Sequence, residues 1–162
     1  SSIGRVFDAV AAMAGLGARN YFEAQLPMAL EAQIDADVEQ SYDFDLRRRN
    51  GEPVILDLRK MIQQLIKDIR DATDKAVIAA KFHNCIAAAL LEMAIRAKKS
   101  TGLDTVALSG GVFCNRYLTN RLIRLLKKSD FAVLFNTEVP ANDGGISLGQ
   151  AAIAATLAKR TL

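Results

Sequence analysis

Two glycine-containing segments of this chain have the residue types of loops that bind phosphate. Residues 109–115 (SGGVFCN, the first glycine loop) follow an apolar run, and residues 142–145 (NDGG, the second glycine loop) follow another. Glycine lets the backbone approach a ligand closely, and the free N–H groups at a helix start attract anions, each contact contributing roughly 0.3–1 kcal/mol. The pattern therefore indicates a phosphate site. The alternative is that Gly110 and Gly111 only make a tight turn between a strand and a helix.

The elements around these loops form a repeating order. Short apolar runs at 105–108 and 132–135 predict strands, and helices are predicted over 116–128 and 144–157. Strand, loop, helix, strand, loop, helix is a parallel βαβ unit, and such apolar runs are typical of strands buried on both faces. Because ligands bind at the carboxyl ends of strands in open α/β sheets, we expect the two glycine loops to converge on one site.

Five polar side chains are the other candidates for chemistry. Asp143 is either the N-cap of the last helix or an oxygen ligand for a divalent metal that bridges phosphates. Asp8 is either exposed at a helix edge or placed to accept hydrogen bonds from ribose hydroxyls. His83 is the single histidine and lies mid-helix, which favours a structural role over a catalytic base. Glu31 and Glu92 are expected on solvated or ion-paired helix faces.

The first part of the chain, residues 1–102, is predicted to be mainly helical, and residues 103–162 to form the βαβα nucleotide-binding part of one compact unit. Thr73 or Asp74 should cap the longest helix, and Gly102 should end it. Pro27 should end or kink the first turn of the second helix. The helices of this part are predicted over 4–16, 21–34, 58–69 and 74–100.

A short β-hairpin is predicted near 42–57. Apolar residues alternate at Tyr42, Phe44 and Leu46, and an apolar run at 54–56 can pair back with them. The dipeptide Asn50-Gly51 between them is a hairpin turn signal.

Composition excludes several classes of function. Half of the residues are apolar and 24% are charged, with a net charge of +3 in scattered basic runs that no aromatic residues interleave. This argues against nucleic-acid binding. No apolar run is long enough for a bilayer and no leader is evident, so we expect a cytoplasmic protein without a membrane partner. Cys85 and Cys114 lack zinc-site spacing and are expected to be reduced thiols.

Three segments together resemble one known family. Residues 4–11 (GRVFDAVA), 107–116 (ALSGGVFCNR) and 139–151 (VPANDGGISLGQA) are similar to motifs of the hydrogenase maturation carbamoyltransferases, the HypF family. The pair Phe82-His83 also stands where that family has a Phe-His pair. The resemblance covers nearly the whole chain, and the order of the two glycine motifs is specific to this group.

The resemblance implies an α/β fold of the actin/Hsp70-like ATPase type (ribonuclease H-like, ASKHA), in a Kae1-like transferase domain related to the tRNA threonylcarbamoyl transferases. It implies ATP and carbamoyl phosphate as substrates and carbamoyl adenylate as the intermediate. The carbamoyl group would pass to a C-terminal cysteine of a HypE-like partner protein and become the cyanide ligand of nickel–iron hydrogenase.

The resemblance also implies roles for individual residues, although it identifies no catalytic residue. The divalent metal (Mg, Fe or Zn) would be shared with residues outside this chain, because the family's His-x-x-x-His pair has no counterpart here. By the resemblance, the adenine nucleotide would be bound by Gly110, Gly111, Asn115 and Gly144. Gly4 and Asp8 would lie at its ribose, and Asp143 would bind the metal.

The resemblance therefore implies that the chain is the C-terminal half of the family's transferase domain. The chain begins with Ser1 rather than Met, and we expect a fragment of a larger protein. Because the family's acylphosphatase-like, zinc-finger and carbamoyl-adenylate-forming modules are missing here, we do not expect the fragment alone to turn over. Two other interpretations remain open at this stage: a nucleotide-binding scaffold or sensor without catalysis, and a relative that carbamoylates a small molecule or modifies tRNA.

Overall fold

The computed structural model describes residues 2–48 and 53–161, without the side chains of 159–161. Two strand pairs and six helices form a helix-rich α/β fold, and two short 3-10 helices cover Gly111–Cys114 and Asp143–Gly145. The division of the chain at residue 102 stays a prediction. In chain order the elements are α1 (Ile3–Met13), α2 (Gln25–Glu31), β1 (Asp45–Arg47), β2 (Ile55–Asp57), α3 (Arg59–Arg70), α4 (Lys75–Thr101), β3 (Thr105–Leu108), α5 (Arg116–Lys128), β4 (Ala132–Phe135) and α6 (Ile146–Thr161).

The core is organised around α4. Asp74 caps this helix by accepting a hydrogen bond from the N–H of Ala76, and Gly102 ends it with φ at 75°, as the sequence predicts. Of the helices in the described residues, α4 alone has the length and mean hydropathy to cross a membrane, so the expectation that no segment is long enough was wrong for this helix. More than half of its apolar window is buried inside the fold. Its buried side chains, among them Phe82, pack with others from α1, α2, α3 and α5, such as Phe7, Leu30, Leu65 and Leu118.

Helix α2 is shorter than predicted, and its residues 21–24 are not helical. Ala24 has φ at 59°, in the left-handed region, so the chain turns before the helix begins. Pro27 falls in the first turn, where its missing N–H breaks no helical hydrogen bond. Leu26 and Leu30 are buried, whereas Phe22 is exposed.

Helix α3 buries only part of its apolar side chains. Met61 and Leu65 are the buried residues of this helix, whereas Ile62 and Ile69 are exposed. Apolar spacing alone could not distinguish these faces, since all four residues recur at helical intervals. Asp68 decides the orientation, because Tyr42 and Lys81 both reach its carboxylate, at 2.8 and 2.5 Å, and so turn that face inward.

The β-hairpin is confirmed, in a shorter form. β1 and β2 pair antiparallel, with Asp45 opposite Asp57 and Arg47 opposite Ile55. Tyr42 precedes the first strand and is buried in the core instead of pairing. The predicted Asn50-Gly51 turn lies outside the described residues.

β3 and β4 pair in parallel, with Leu108 opposite Phe135, and α5 crosses between them. The expectation that both faces of this pair are buried is wrong. Val106, Leu108 and Val133 pack against α4 and α5, while Ala107 and Leu134 on the other face are exposed. The reason is that helices cover only one face of the pair in the described part of the chain.

Candidate functional site

The fold brings the two glycine loops to the same end of the parallel sheet. The first loop begins directly after Leu108, the last residue of β3, and the second follows β4. The backbone N–H of Gly110 donates to the carbonyl of Ala141 at 2.8 Å. A Cβ added at Gly111 would lie 3.8 Å from the Cβ of Asn142. The loops are therefore in contact, as the βαβ pattern predicts.

The backbone of the first glycine loop offers free hydrogen-bond donors. Gly110 has φ at 110°, a conformation that residues with a Cβ rarely adopt. A turn of 3-10 helix, Gly111–Cys114, follows at once. Within the described residues, the N–H groups of Gly111 and Val112 meet no acceptor. Adjacent N–H groups without an acceptor at the start of a helical turn can attract an anion.

The first turn of α5, by contrast, is not free to bind phosphate as expected. The Glu31 carboxylate accepts the N–H of Tyr117 at 3.0 Å, and the Asn115 Oδ1 atom accepts the N–H of Leu118 at 2.8 Å. Glu31 was predicted to be a solvated or paired surface residue, and it instead caps a helix from another part of the fold. In this region the adjacent N–H groups of Gly111 and Val112 in the glycine loop are left without an acceptor among the described residues.

In the second glycine loop, close packing leaves no room for a side chain at positions 144 and 145. A Cβ at Gly144 would lie 2.9 Å from the Cγ of Pro140, and one at Gly145 would lie 2.9 Å from the Pro140 carbonyl. Asn142, not Asp143, is the capping residue here, because its Oδ1 atom accepts the N–H of Gly144 at 3.0 Å. A nucleotide contact at Gly144 stays a prediction.

Asp143 is exposed, and its carboxylate has no ion pair or hydrogen bond among the described residues. In that part of the chain no three metal-ligating side chains cluster. A single exposed carboxylate can supply at most part of a metal site, so a metal role for Asp143 stays a prediction.

The residues implied to hold the ribose lie on α1, next to the first glycine loop. α1 contacts the 3-10 helix that follows Gly110, and Val112 packs against the same apolar cluster as Phe7. Asp8 is half-buried, and its Oδ1 atom accepts the Asn20 side-chain amide at 2.8 Å. A Cβ added at Gly4 would meet only the Ser2 hydroxyl, at 4.0 Å, so the fold itself does not require glycine there.

A buried polar cluster behind the first glycine loop could not be foreseen from the sequence. His83 and Asn84 are neighbours on α4 and are almost fully buried. His83 Nε2 lies 2.8 Å from the Asn115 Nδ2 atom, and Asn84 Oδ1 accepts the hydroxyl of Tyr117 at 2.9 Å. The Asn84 Nδ2 atom donates to two carbonyls of the α2–β1 connection. The one sequence signal was a polar pair in the middle of an Ala-rich, otherwise apolar helix. The expected structural role of His83 is confirmed.

Comparison with known proteins decides the family. The family model described as "Carbamoyltransferase, Kae1-like Domain, second subdomain" matches residues 1–150. The chain belongs to the HypF carbamoyltransferase family. The HypF protein of Synechocystis sp. is 39% identical over 93% of this chain, and a HypF homolog of Cupriavidus necator is 37% identical over 96%. The chain spans only 19% and 40% of those two proteins.

Solved structures agree with this assignment. A structure of full-length HypF in the phosphate- and nucleotide-bound form superposes with a TM-score of 0.89 at 42% identity, covering 97% of this chain and 20% of that one. The HypF of T. kodakarensis gives 0.76 at 27% identity, with 98% and 20% covered. A tRNA N6-adenosine threonylcarbamoyltransferase of Clostridium novyi matches only 49% of the chain, at 32% identity over 23% of its own length. The Kae1-like fold is therefore established, and the similarity to the tRNA-modifying enzyme extends over about half of the chain.

In this HypF-family domain, the environment of His83 makes stability depend on pH. Burial lowers the pKa of His83 to about 4, and the hydrogen bond to the Ala79 carbonyl opposes that shift only in part. An unfolded chain has a histidine pKa near 6.5. Between these values the unfolded state binds more protons, so the contribution of neutral His83 is full above pH 6.5 and is lost as the pH falls towards 4.

We expect the free energy of unfolding to decrease by about 2 kcal/mol between about pH 7 and pH 5, from this one group. Urea unfolding at several pH values measures the change. Because the chain has one histidine, NMR titration of its ring gives an independent check in the folded state. A ring that titrates with a midpoint near 6.5 in the folded protein would contradict the assignment.

Proposed function

We propose that this chain is the nucleotide-binding part of a protein carbamoyltransferase that uses ATP and carbamoyl phosphate. The observation that carries the proposal is the contact between the two glycine loops through Gly110 and Ala141, beside free N–H groups at Gly111 and Val112. The relative whose structure is phosphate- and nucleotide-bound superposes on 97% of the chain. In the proposed reaction water releases inorganic phosphate from carbamoyl phosphate, and the resulting carbamate attacks the α-phosphorus of ATP, which gives carbamoyl adenylate and releases pyrophosphate.

The residues of this chain would bind and orient the nucleotide. The N–H groups of the first glycine loop would contact its phosphates, with Asn115 and Gly144 beside them, and Gly4 and Asp8 on α1 would face the ribose. Asp143 would supply one ligand to a divalent metal, which would neutralise phosphate charge when bound. Backbone donors fixed by the fold need no reorganisation as charge develops on phosphate, which is how such a site lowers the barrier to adenylation.

The acceptor in this proposal is a C-terminal cysteine of a HypE-like partner in the cytoplasm, in the synthesis of the hydrogenase cyanide ligand. HypF proteins match 93–96% of the chain, whereas the threonylcarbamoyl transferases match 49% and 57% of it. This difference favours a protein acceptor over tRNA. The chain spans about a fifth of most HypF relatives, so we expect nucleotide binding without turnover from the chain alone.

Calorimetric titration of the folded chain with ATP, with and without Mg²⁺, tests the nucleotide site. We expect ATP to bind and Mg²⁺ to strengthen the binding, and we expect Asp143→Asn to remove most of the Mg²⁺ effect while ATP alone still binds. Asp37→Asn is the matched control, since it neutralises an exposed carboxylate on the α2–β1 connection. The proposal would be contradicted if the folded chain binds no adenine nucleotide.

A further inference from the structure

The side-chain amide of Asn115 is held from both ends. Its Oδ1 atom accepts the N–H of Leu118 at 2.8 Å, and its Nδ2 atom lies 2.8 Å from Nε2 of His83. Because only the oxygen can accept the Leu118 N–H, the amide nitrogen must face the ring. The amide group is therefore the donor in this contact, and Nε2 of His83 is the acceptor.

The second ring nitrogen fixes the protonation state of His83. Nδ1 lies 2.7 Å from the carbonyl oxygen of Ala79, which can only accept a hydrogen bond. The proton of the neutral ring is therefore on Nδ1, and the lone pair on Nε2 points at Asn115. One directed chain of hydrogen bonds runs from the Asn115 amide through the ring to the backbone of α4.

The ring that makes these contacts has no room to turn. His83 is fully buried, and its ring meets the rings of Phe7, Phe82 and Tyr117 edge-on, at centroid distances of 5.2, 5.5 and 5.7 Å. These neighbours come from α1, α4 and α5. The ring of His83 thus packs against both α1, at the residue before Asp8, and the start of α5.

We propose that His83 is a positioning residue for the nucleotide site: it fixes the Asn115 side chain so that the free amide N–H and the second Oδ1 lone pair of Asn115 face the ligand of the first glycine loop. This rests on the proposed function of that loop. His83 has no role as acid or base in it, since both ring nitrogens are occupied within the core. Loss of the Nε2 acceptor frees the Asn115 amide to rotate, which costs binding without removing any group that touches the nucleotide.

Two substitutions separate the roles of the ring nitrogens. His83→Gln can place a carbonyl oxygen near the position of Nε2 and keep the acceptor for Asn115. His83→Asn reaches only the position of Nδ1 and keeps the contact to Ala79. Calorimetric titration with ATP should give a Kd within about threefold of the unaltered chain for His83→Gln and at least about tenfold weaker for His83→Asn. Equal and undiminished binding by both folded variants would overturn the proposal.

NMR of the unaltered chain tests the same geometry even if a variant fails to fold. Its one histidine gives one set of ring ¹⁵N signals. We expect long-range ¹H–¹⁵N correlations to show the proton on Nδ1. Addition of ATP should shift the Nε2 signal of the unaltered chain, and addition of ATP to the Asn115→Ala variant should leave that signal unchanged. A proton found on Nε2, or an Nε2 signal indifferent to bound ATP, would refute the role of His83. If the unaltered chain binds no ATP but the proton is on Nδ1, the proposed nucleotide-binding function of the loop is wrong. The hydrogen-bond geometry of the His83 ring would still be correct in that case.

Discussion

Asn84→Asp is expected to destabilise the fold by at least about 3 kcal/mol at neutral pH, although it exchanges a single NH₂ group for oxygen. Asn84 is almost fully buried, and its Nδ2 atom donates to the carbonyls of Val38 and Gln40 at 2.9 and 2.8 Å. A carboxylate has no donor, so it would place negative charge opposite both carbonyl dipoles in a desolvated position. Only the bond from Tyr117 would survive.

The loss should be measured as the free energy of urea unfolding, with Asn142→Asp as the matched control. Asn142 is exposed and uses only its oxygen, as acceptor of the Gly144 N–H, so the same chemical change there should cost less than about 0.5 kcal/mol. Acidic conditions should restore part of the Asn84→Asp loss, since a protonated carboxyl recovers one donor. Similar stabilities for the two variants would contradict the role of the Asn84 hydrogen bonds to Val38 and Gln40.

Gly111→Ala is expected to weaken ATP binding at least about tenfold without destabilising the fold. The added Cβ would lie between the two glycine loops, 3.8 Å from the Cβ of Asn142, which is an ordinary contact distance. Gly111 does not have the positive φ of Gly110. The fold can therefore accept alanine, whereas a phosphate over the N–H groups of Gly111 and Val112 would compete with the methyl group for space.

The control for this substitution is Gly149→Ala. That glycine lies on α6 with nothing within 4 Å of an added Cβ. Alanine is the better helix former by up to about 1 kcal/mol, so stability should rise slightly and ATP binding should be unchanged. Thermal unfolding confirms that both variants are folded, and calorimetry measures the binding. Full-strength ATP binding by Gly111→Ala would place the phosphates elsewhere.

Local patterns were sufficient to predict much of the fold. The bounds predicted for α5 and β4 coincide with the observed ones, because apolar periodicity and an Asn start signal lie within the segments themselves. The same holds for the Asp74 cap and for the βαβ order that brings the glycine loops together. These features depend on neighbours in sequence.

The contacts that the sequence did not reveal join distant segments. Glu31 caps α5 across 86 positions, and His83 meets Asn115 across 32. No periodicity encodes which surface carboxylate or which buried polar residue finds such a partner. The exposed face of the β3–β4 pair could not be predicted for a related reason. An apolar strand predicts that both of its faces are buried, but it does not indicate whether the same chain provides the elements that cover each face.

The central position of α4 has a consequence for the rates of motion at the site. His83 and Asn84 lie in the turns of α4 that are most completely enclosed, and amide hydrogens in such a segment exchange with solvent only when the whole domain opens. Asn115 lies at the first turn of α5, where helices fray. The contact between them thus joins the slowest-opening part of the domain to a segment that would otherwise open quickly. Hydrogen exchange at the start of α5 should accordingly be slow for a helix end.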